Sequence, residues 1–212
     1  MTATAQGRFI TLEGGEGAGK STQIMRLKDW LESHGHTVLT TREPGGSAGG
    51  ELVRKLLVEG PTDRWDGATE ALLHFAARRD HLRATVCPAL KRGTWVVSDR
   101  FADSTRAYQG YGHGLDLGML DQLYDIAVGD FRPDLTLILD LPVEVGLARA
   151  GHRRGSETRY ESLPRAFHER VRSGFLEIAR REPSRCALID ANRDAEQVAQ
   201  DIAHHVAERL GA

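Results

Sequence analysis

The segment Gly14-Gly15-Glu16-Gly17-Ala18-Gly19-Lys20-Ser21 constrains this chain more than any other part of it. It fits the pattern G-x-x-x-x-G-K-[ST]. Before it stands a short apolar run, residues 9–12, which reads as a buried strand. After it, residues 21–33 place Ile24, Leu27 and Leu31 on one helical stripe. Strand, glycine loop and helix in that order form the context in which such a loop cradles the phosphates of a nucleoside triphosphate. A Gly-rich turn with a surface lysine would not require that order. The glycines let backbone N–H groups turn inward around the phosphates, and the helix N-terminus adds a favourable dipole. Lys20 is expected to reach the β- and γ-phosphates, and the Ser21 hydroxyl, followed by Thr22, to meet Mg²⁺.

The remaining chain alternates apolar strand signals with helical ones. Strands are expected at 38–41, 94–98, 135–139 and 187–189, and helices at 51–58, 68–90, 117–128, 163–181 and 194–210. Pro88 should kink or end the second of these helices, and Pro142 should open the helix after the fourth strand. Short apolar strands alternating with helices argue for a parallel sheet covered on both faces. Residues 149–159 stand apart as polar, Gly-punctuated and arginine-dense. They read either as a mobile lid or as a solvated surface loop.

Length and charge set the boundaries of this reading. With 212 residues the chain suits one domain able to bury its own core. A formal net charge of −2 gives no global basic footprint for nucleic acid. No uninterrupted apolar run is long enough to span a bilayer, and the N-terminus lacks the apolar stretch of a signal peptide. Two distant cysteines, Cys87 and Cys186, have no zinc spacing and make no disulfide framework, so they read as reduced thiols in a cytoplasmic protein. Nine histidines are scattered without ligand spacing, so no structural metal is assigned.

A guanine-reading Asn-Lys-x-Asp segment is absent, and the length excludes a large motor or pump, which leaves a small kinase. The loop is followed in order by Thr41-Arg42-Glu43-Pro44-Gly45-Gly46, Phe75-Ala76-Ala77-Arg78, Ser98-Asp99-Arg100 and Ser104-Thr105-Arg106-Ala107-Tyr108-Gln109-Gly110. Phe131-Arg132-Pro133-Asp134-Leu135-Thr136-Leu137 and the arginine-dense segment continue the series. In order and spacing this resembles bacterial thymidylate kinases, from about residue 9 to residue 190. The resemblance implies transfer of a phosphoryl group from ATP to dTMP, giving ADP and dTDP, with Mg²⁺. It implies a single P-loop NTPase domain over 1–212, with a five-stranded doubly wound parallel sheet, helices on both faces and a short lid at about 149–160. It also implies a homodimer.

The resemblance also distributes roles. Phe75 would stack on thymine and Arg78 would hydrogen-bond the base; as i, i+3 neighbours on a helix the two share a face. By pattern alone, Phe75 equally reads as core packing beside Leu72 and Leu73. Arg100 would grip the dTMP phosphate, with Asp99 orienting it or a water on Mg²⁺, unless Asp99 merely caps a helix. Ser104 and Gln109 would approach the base, and Tyr108 would crowd the place of a ribose 2′-OH. Arg42 would reach phosphate, Pro44 would pack on the sugar, and Glu16 would lie near the 3′-OH. Arg149 would stack on adenine. Because the phosphate loop carries Glu16 and no arginine, catalytic arginines would come from the lid, where Arg153, Arg154 and Arg159 are the candidates. Rival readings are a kinase for a different monophosphate or a deoxynucleoside, and a regulator that binds ATP without transferring it.

Overall fold

The computed structural model describes residues 7–151 and 159–212. Five strands, β1 (Phe9–Glu13), β2 (Val38–Arg42), β3 (Trp95–Asp99), β4 (Leu135–Asp140) and β5 (Cys186–Asp190), form one all-parallel sheet in the order β2-β3-β1-β4-β5. The helices are α1 (Lys20–Ser33), α2 (Ala48–Val58), α3 (Gly67–His81), α4 (Cys87–Lys91), α5 (Ala102–Thr105), α6 (Leu117–Ala127), α7 (Val143–Ala150), α8 (Arg165–Arg181) and α9 (Ala195–Leu210). Among the described residues no helix is long and apolar enough to cross a membrane.

Alternation along the central strands divides the core. Ile10 and Leu12 of β1 and Leu135, Leu137 and Leu139 of β4 pack with α1 and α9. Phe9 turns the other way, into a cluster with Phe75, Phe101 and Leu120, while Ile138 packs with Tyr108, Phe167 and Phe175. Successive side chains of a strand point to opposite faces, so both faces of the sheet become apolar and both must be covered. Between the layers, the Thr11 and Thr136 hydroxyls meet at 2.9 Å, and Arg185 grips Asp103 at 2.6 Å beside them.

The expected helix over 68–90 is in fact α3 and α4 joined by a π-helical turn, Leu82–Val86. Pro88 sits in the first turn of α4, and the wider turn just before it absorbs the proline ring and its missing N–H. Neither α5 nor the π-helical segment Arg106–Gly112 that continues it was expected from the sequence. Its tyrosines, glycines and glutamine carry no 3.6-residue apolar period. It is nonetheless a main packing partner of α8: Cβ atoms at Gly112 and Gly174 would meet Phe167 at 2.6 Å and Tyr111 at 2.7 Å, respectively.

β1 lies where the chain turns from building one side of the sheet to building the other. In open parallel sheets that switch point opens a crevice beyond the carboxyl ends of the strands. Glu13, Arg42, Asp99 and Asp140, the last residues of β1 to β4, all face that crevice end.

Candidate active site

The phosphate loop follows β1 directly and feeds into α1. Gly17, with φ +67°, packs so closely on α7 that a Cβ there would lie 2.0 Å from the Gly146 carbonyl oxygen. A Cβ on Gly146 would in turn lie 2.4 Å from the Glu16 carbonyl oxygen. Two glycines therefore let helix and loop touch backbone to backbone. Lys20 folds over the loop and donates to the carbonyl oxygens of Gly14 and Gly15 at 3.1 and 3.0 Å. Burial, with the Arg100 charge beside it, lowers its ammonium pKa to about 8. Ser21 Oγ lies 3.3 Å from Asp99 Oδ2, so two oxygen donors stand together at the loop mouth. Arg149, at the end of α7, donates to the Ala191 carbonyl at 3.2 Å; Gly15, Gly19 and Thr22 complete the loop and the start of its helix.

Arg100 ties this loop to a second constellation. Its backbone is left-handed, with φ 70°, a conformation rare for any residue but glycine. Glu13 holds the turn from below, accepting from Phe101 N at 2.7 Å and from Ser104 Oγ at 2.5 Å. Burial and the neighbouring Asp103 charge push the Glu13 carboxyl up to about 8, so it is largely protonated at neutral pH. The Arg100 guanidinium donates to Gly14 O and Ser104 Oγ, both at 3.0 Å, to Glu16 Oε1 at 3.1 Å and to the Tyr108 hydroxyl at 3.0 Å. Tyr108 OH donates to the same Glu16 oxygen at 2.7 Å. Burial alone would raise the Glu16 carboxyl, but the charges of Arg100 and Lys20 outweigh it and hold it below the usual range.

Two cavities meet at Glu16, Glu43, Arg54, Arg100 and Glu161. One, of about 340 Å³, is polar and opens along Lys20, Ser21, Arg42 and Asp99. The other, of about 120 Å³, runs inward past Pro44, His74, Ser104, Tyr108, Gln109 and Tyr160. Arg42 stands half-exposed at the rim, paired with Glu51 at 3.0 Å.

Phe75 does not line this cleft. It does share a face with Arg78, whose Cζ lies 4.8 Å from the ring centroid, but that face points into the core, edge-on to Tyr124. The preceding residue, His74, one helical step around, lines the cleft instead. Burial and the Arg78 charge lower the His74 imidazole to about 3, so the ring is neutral. Its Nε2 meets the Tyr160 hydroxyl at 3.3 Å.

Arg78 is clamped between the Phe75 and Phe101 rings. Its Nε donates to Glu43 at 2.8 Å and its Nη2 to Thr105 at 3.0 Å, while buried Nη1 has no partner among the described residues. Glu43, left unassigned by sequence reasoning, also pairs with His81 Nδ1 at 2.9 Å, and so spans from the end of β2 to α3.

Arg159 is not free to act on phosphate in this arrangement. It is 3% exposed and donates to the carbonyls of Leu57, Pro61 and Thr62 and to Glu70 at 2.6 Å. Arg153 and Arg154 lie outside the described residues. Sequence reasoning missed His74, Tyr160 and Glu161. The one signal for the last two was that they immediately follow the arginine-dense segment.

Comparison with known proteins points one way. A family model described as thymidylate kinase matches residues 12–202. A thymidylate kinase of Caulobacter vibrioides is 56% identical over 206 residues, covering 97% of this chain and 99% of that protein. One from Rhodopseudomonas palustris is 55% identical over 213 residues, covering 99% and 93%. The crystal structure of thymidylate kinase from Ehrlichia chaffeensis superposes with a TM-score of 0.78 at 35% identity, covering 95% of this chain and 99% of that one. With its phosphate loop, its five-stranded parallel sheet and a cleft joined to that loop through Arg100, this chain belongs to the thymidylate kinase family, ATP-dependent phosphotransferases that convert dTMP to dTDP.

Proposed function

We propose that the chain works as a single domain in which ATP lies with its triphosphate in the loop 14–21 and dTMP lies in the cleft, phosphate toward Arg100 and base toward His74. The observation that carries this reading is the reach of Arg100, which touches both the loop (Gly14 O, Glu16) and the cleft (Ser104, Tyr108). The obstacle to transfer is repulsion between two anions, since the acceptor is already a phosphate oxygen and needs no strong base. Lys20 and Arg100 offset that repulsion in a site that burial keeps at low dielectric. When phosphate arrives, Lys20 exchanges its two carbonyl partners for phosphate oxygens. Arg100 is already aimed by Glu16, Tyr108 and Ser104, so little orientational freedom remains to be lost.

On the acceptor side, neutral His74 offers the base a flat ring, and Tyr108, locked to Glu16 and Arg100, closes the sugar region where a 2′-OH would project. Pro44 lines the same wall, Arg42 guards its phosphate end, and Arg149 lies on the adenine side. The paired oxygens of Ser21 and Asp99 suit Mg²⁺, a hard cation that keeps water and phosphate ligands rather than an all-protein cage. Bound there, the ion would neutralise charge on the phosphates. The lid arginines Arg153 and Arg154 complete the positive field.

Three neighbouring helices, α2, α3 and α6, expose Leu52, Leu56, Leu72 and Ile126, a set that supports a homodimer through this face. Both cysteines are free, which suits the reducing cytoplasm. A coupled assay with ATP, Mg²⁺ and dTMP, dUMP, CMP or thymidine tests the acceptor reading. Preferred turnover of dTMP is expected. ADP release that ignores every added monophosphate would overturn it.

A further inference from the structure

Glu70, in the first turn of α3, is a fully buried carboxylate with no part in the phosphate chemistry. Four donors converge on it: Arg159 Nη2 at 2.6 Å, Gln109 Nε2 at 2.7 Å, the Tyr160 hydroxyl at 3.0 Å and His113 Nε2 at 3.4 Å. Burial would raise its pKa, but the hydrogen bonds from His113, Gln109 and Arg159 outweigh that and bring it to about 2. An ionised carboxylate only accepts hydrogen bonds.

That one-sidedness has a consequence for Gln109, which lines the inner cleft. Its amide carries a donor end and an acceptor end, and Glu70 takes the donor end. Oε1 must then turn away, and it is buried without a partner among the described residues. This orphan acceptor belongs to a residue of the cleft wall and is costly until a ligand answers it. A base with an N–H, as at N3 of thymine, supplies the complement. Cytosine presents a bare ring nitrogen and an amino group there, which reverses the pattern.

We propose that Glu70 is a positioning residue that selects the nucleobase by fixing which end of the Gln109 amide faces the ligand. This rests on the placement of the dTMP base toward His74 argued above, in the cleft that Gln109 also lines. Glu70 never touches the base. It acts through Gln109, and its bond to Arg159 ties the same hub to the far end of the arginine-dense segment.

The experiment compares kcat/KM for dTMP, dUMP and dCMP, with ATP and Mg²⁺, in the full chain and in Glu70→Gln and Gln109→Leu. A glutamine at position 70 brings a donor of its own, so the Gln109 amide is free to turn over. The ratio of dTMP to dCMP is expected to fall roughly tenfold or more in both variants. dUMP should track dTMP, because the two share the edge being read. Gln109→Leu keeps the Glu70–Arg159 pair and decides the matter if Glu70→Gln fails to fold. An unchanged ratio in Gln109→Leu, or in a folded Glu70→Gln, overturns the proposal and leaves Glu70 as a counter-ion for Arg159. Wild-type enzyme that phosphorylates dCMP as readily as dTMP would instead bring down the placement of the base on which the proposal rests.

Discussion

The Arg100 guanidinium donates to the Glu16 carboxylate at 3.1 Å, and the Tyr108 hydroxyl bridges the same two groups. Three elements meet in that contact: the phosphate loop, the turn after β3 and the π-helical segment Arg106–Gly112. Each supplies one member, so the arginine is aimed before any nucleotide binds. The left-handed backbone at Arg100 is held by Glu13 beneath it and by Ser98 Oγ, which donates to the Arg100 carbonyl at 2.8 Å.

Replacing Arg100 by lysine keeps one positive charge but removes the planar fork that reaches four partners. A point charge on a flexible stem does not reproduce that geometry. Arg100→Lys is expected to lower kcat by roughly 10²-fold or more, with KM for ATP changed much less. Steady-state kinetics with each substrate varied in turn check this. A lysine variant within a factor of about two of wild type would show that charge alone suffices.

What the sequence disclosed and what it hid follow from the range of the interactions involved. The phosphate loop is local: its glycines, Lys20 and Ser21 lie within eight residues, and the flanking strand and helix carry their own periods. Lys20 folds over that loop, and Arg100 and Tyr108 meet between it and the cleft. His74 is different. Whether position 74 or 75 of α3 faces the cleft depends on the rotation of that helix against α6 and the sheet, and the short string Phe75-Ala76-Ala77-Arg78 carries no trace of that rotation. Glu43 and Glu70 find their partners 35 and 89 residues away, so their roles appear only once the chain is folded.

Glu13 gives a pH signature. Its native pKa, raised to about 8, exceeds the ordinary carboxylate value of 4.5, so the folded state holds a proton that the unfolded state gives up. Its contribution to stability is complete below about pH 4.5 and is lost as pH rises toward 8. Glu13→Gln, uncharged at every pH, removes that slope. The Tm of the variant relative to wild type is expected to climb between pH 5 and pH 8.5. A constant difference across that range, measured by calorimetry, would show that Glu13 is ionised throughout.

The exposed leucines predict an assembly. Ile126 is 81% exposed and Leu52 is 68% exposed, on helices that neighbour Leu72 of α3. Apolar side chains so open to water are expected to be covered by a second copy. A glutamate at either place would set like charges against each other across a two-fold interface. Leu52→Glu and Ile126→Glu should shift the sedimentation coefficient from dimer to monomer while leaving the far-UV spectrum unchanged. Wild-type protein that sediments as a monomer at assay concentration would refute this face as the interface.

Arg159 and its neighbours Arg153 and Arg154 should separate into two kinds. Arg159 is buried, bonded through all three guanidinium nitrogens and paired with buried Glu70, so Arg159→Ala strips the interior carboxylate of its arginine counter-charge. Breaking a buried pair in this way costs about 3–5 kcal/mol, a fall in Tm of roughly 10 °C for a chain of this size. Arg153→Ala and Arg154→Ala are expected to leave Tm near wild type. At least one of them should lower kcat by roughly 10³-fold, the loss that follows when an arginine that answers transition-state charge is removed. Thermal melts and single-turnover rates on the three variants make the division visible. Arg153 and Arg154 variants that both keep wild-type kcat would move the missing positive charge elsewhere in the site, with Arg42 and Arg54, which line the same polar cavity, next in line.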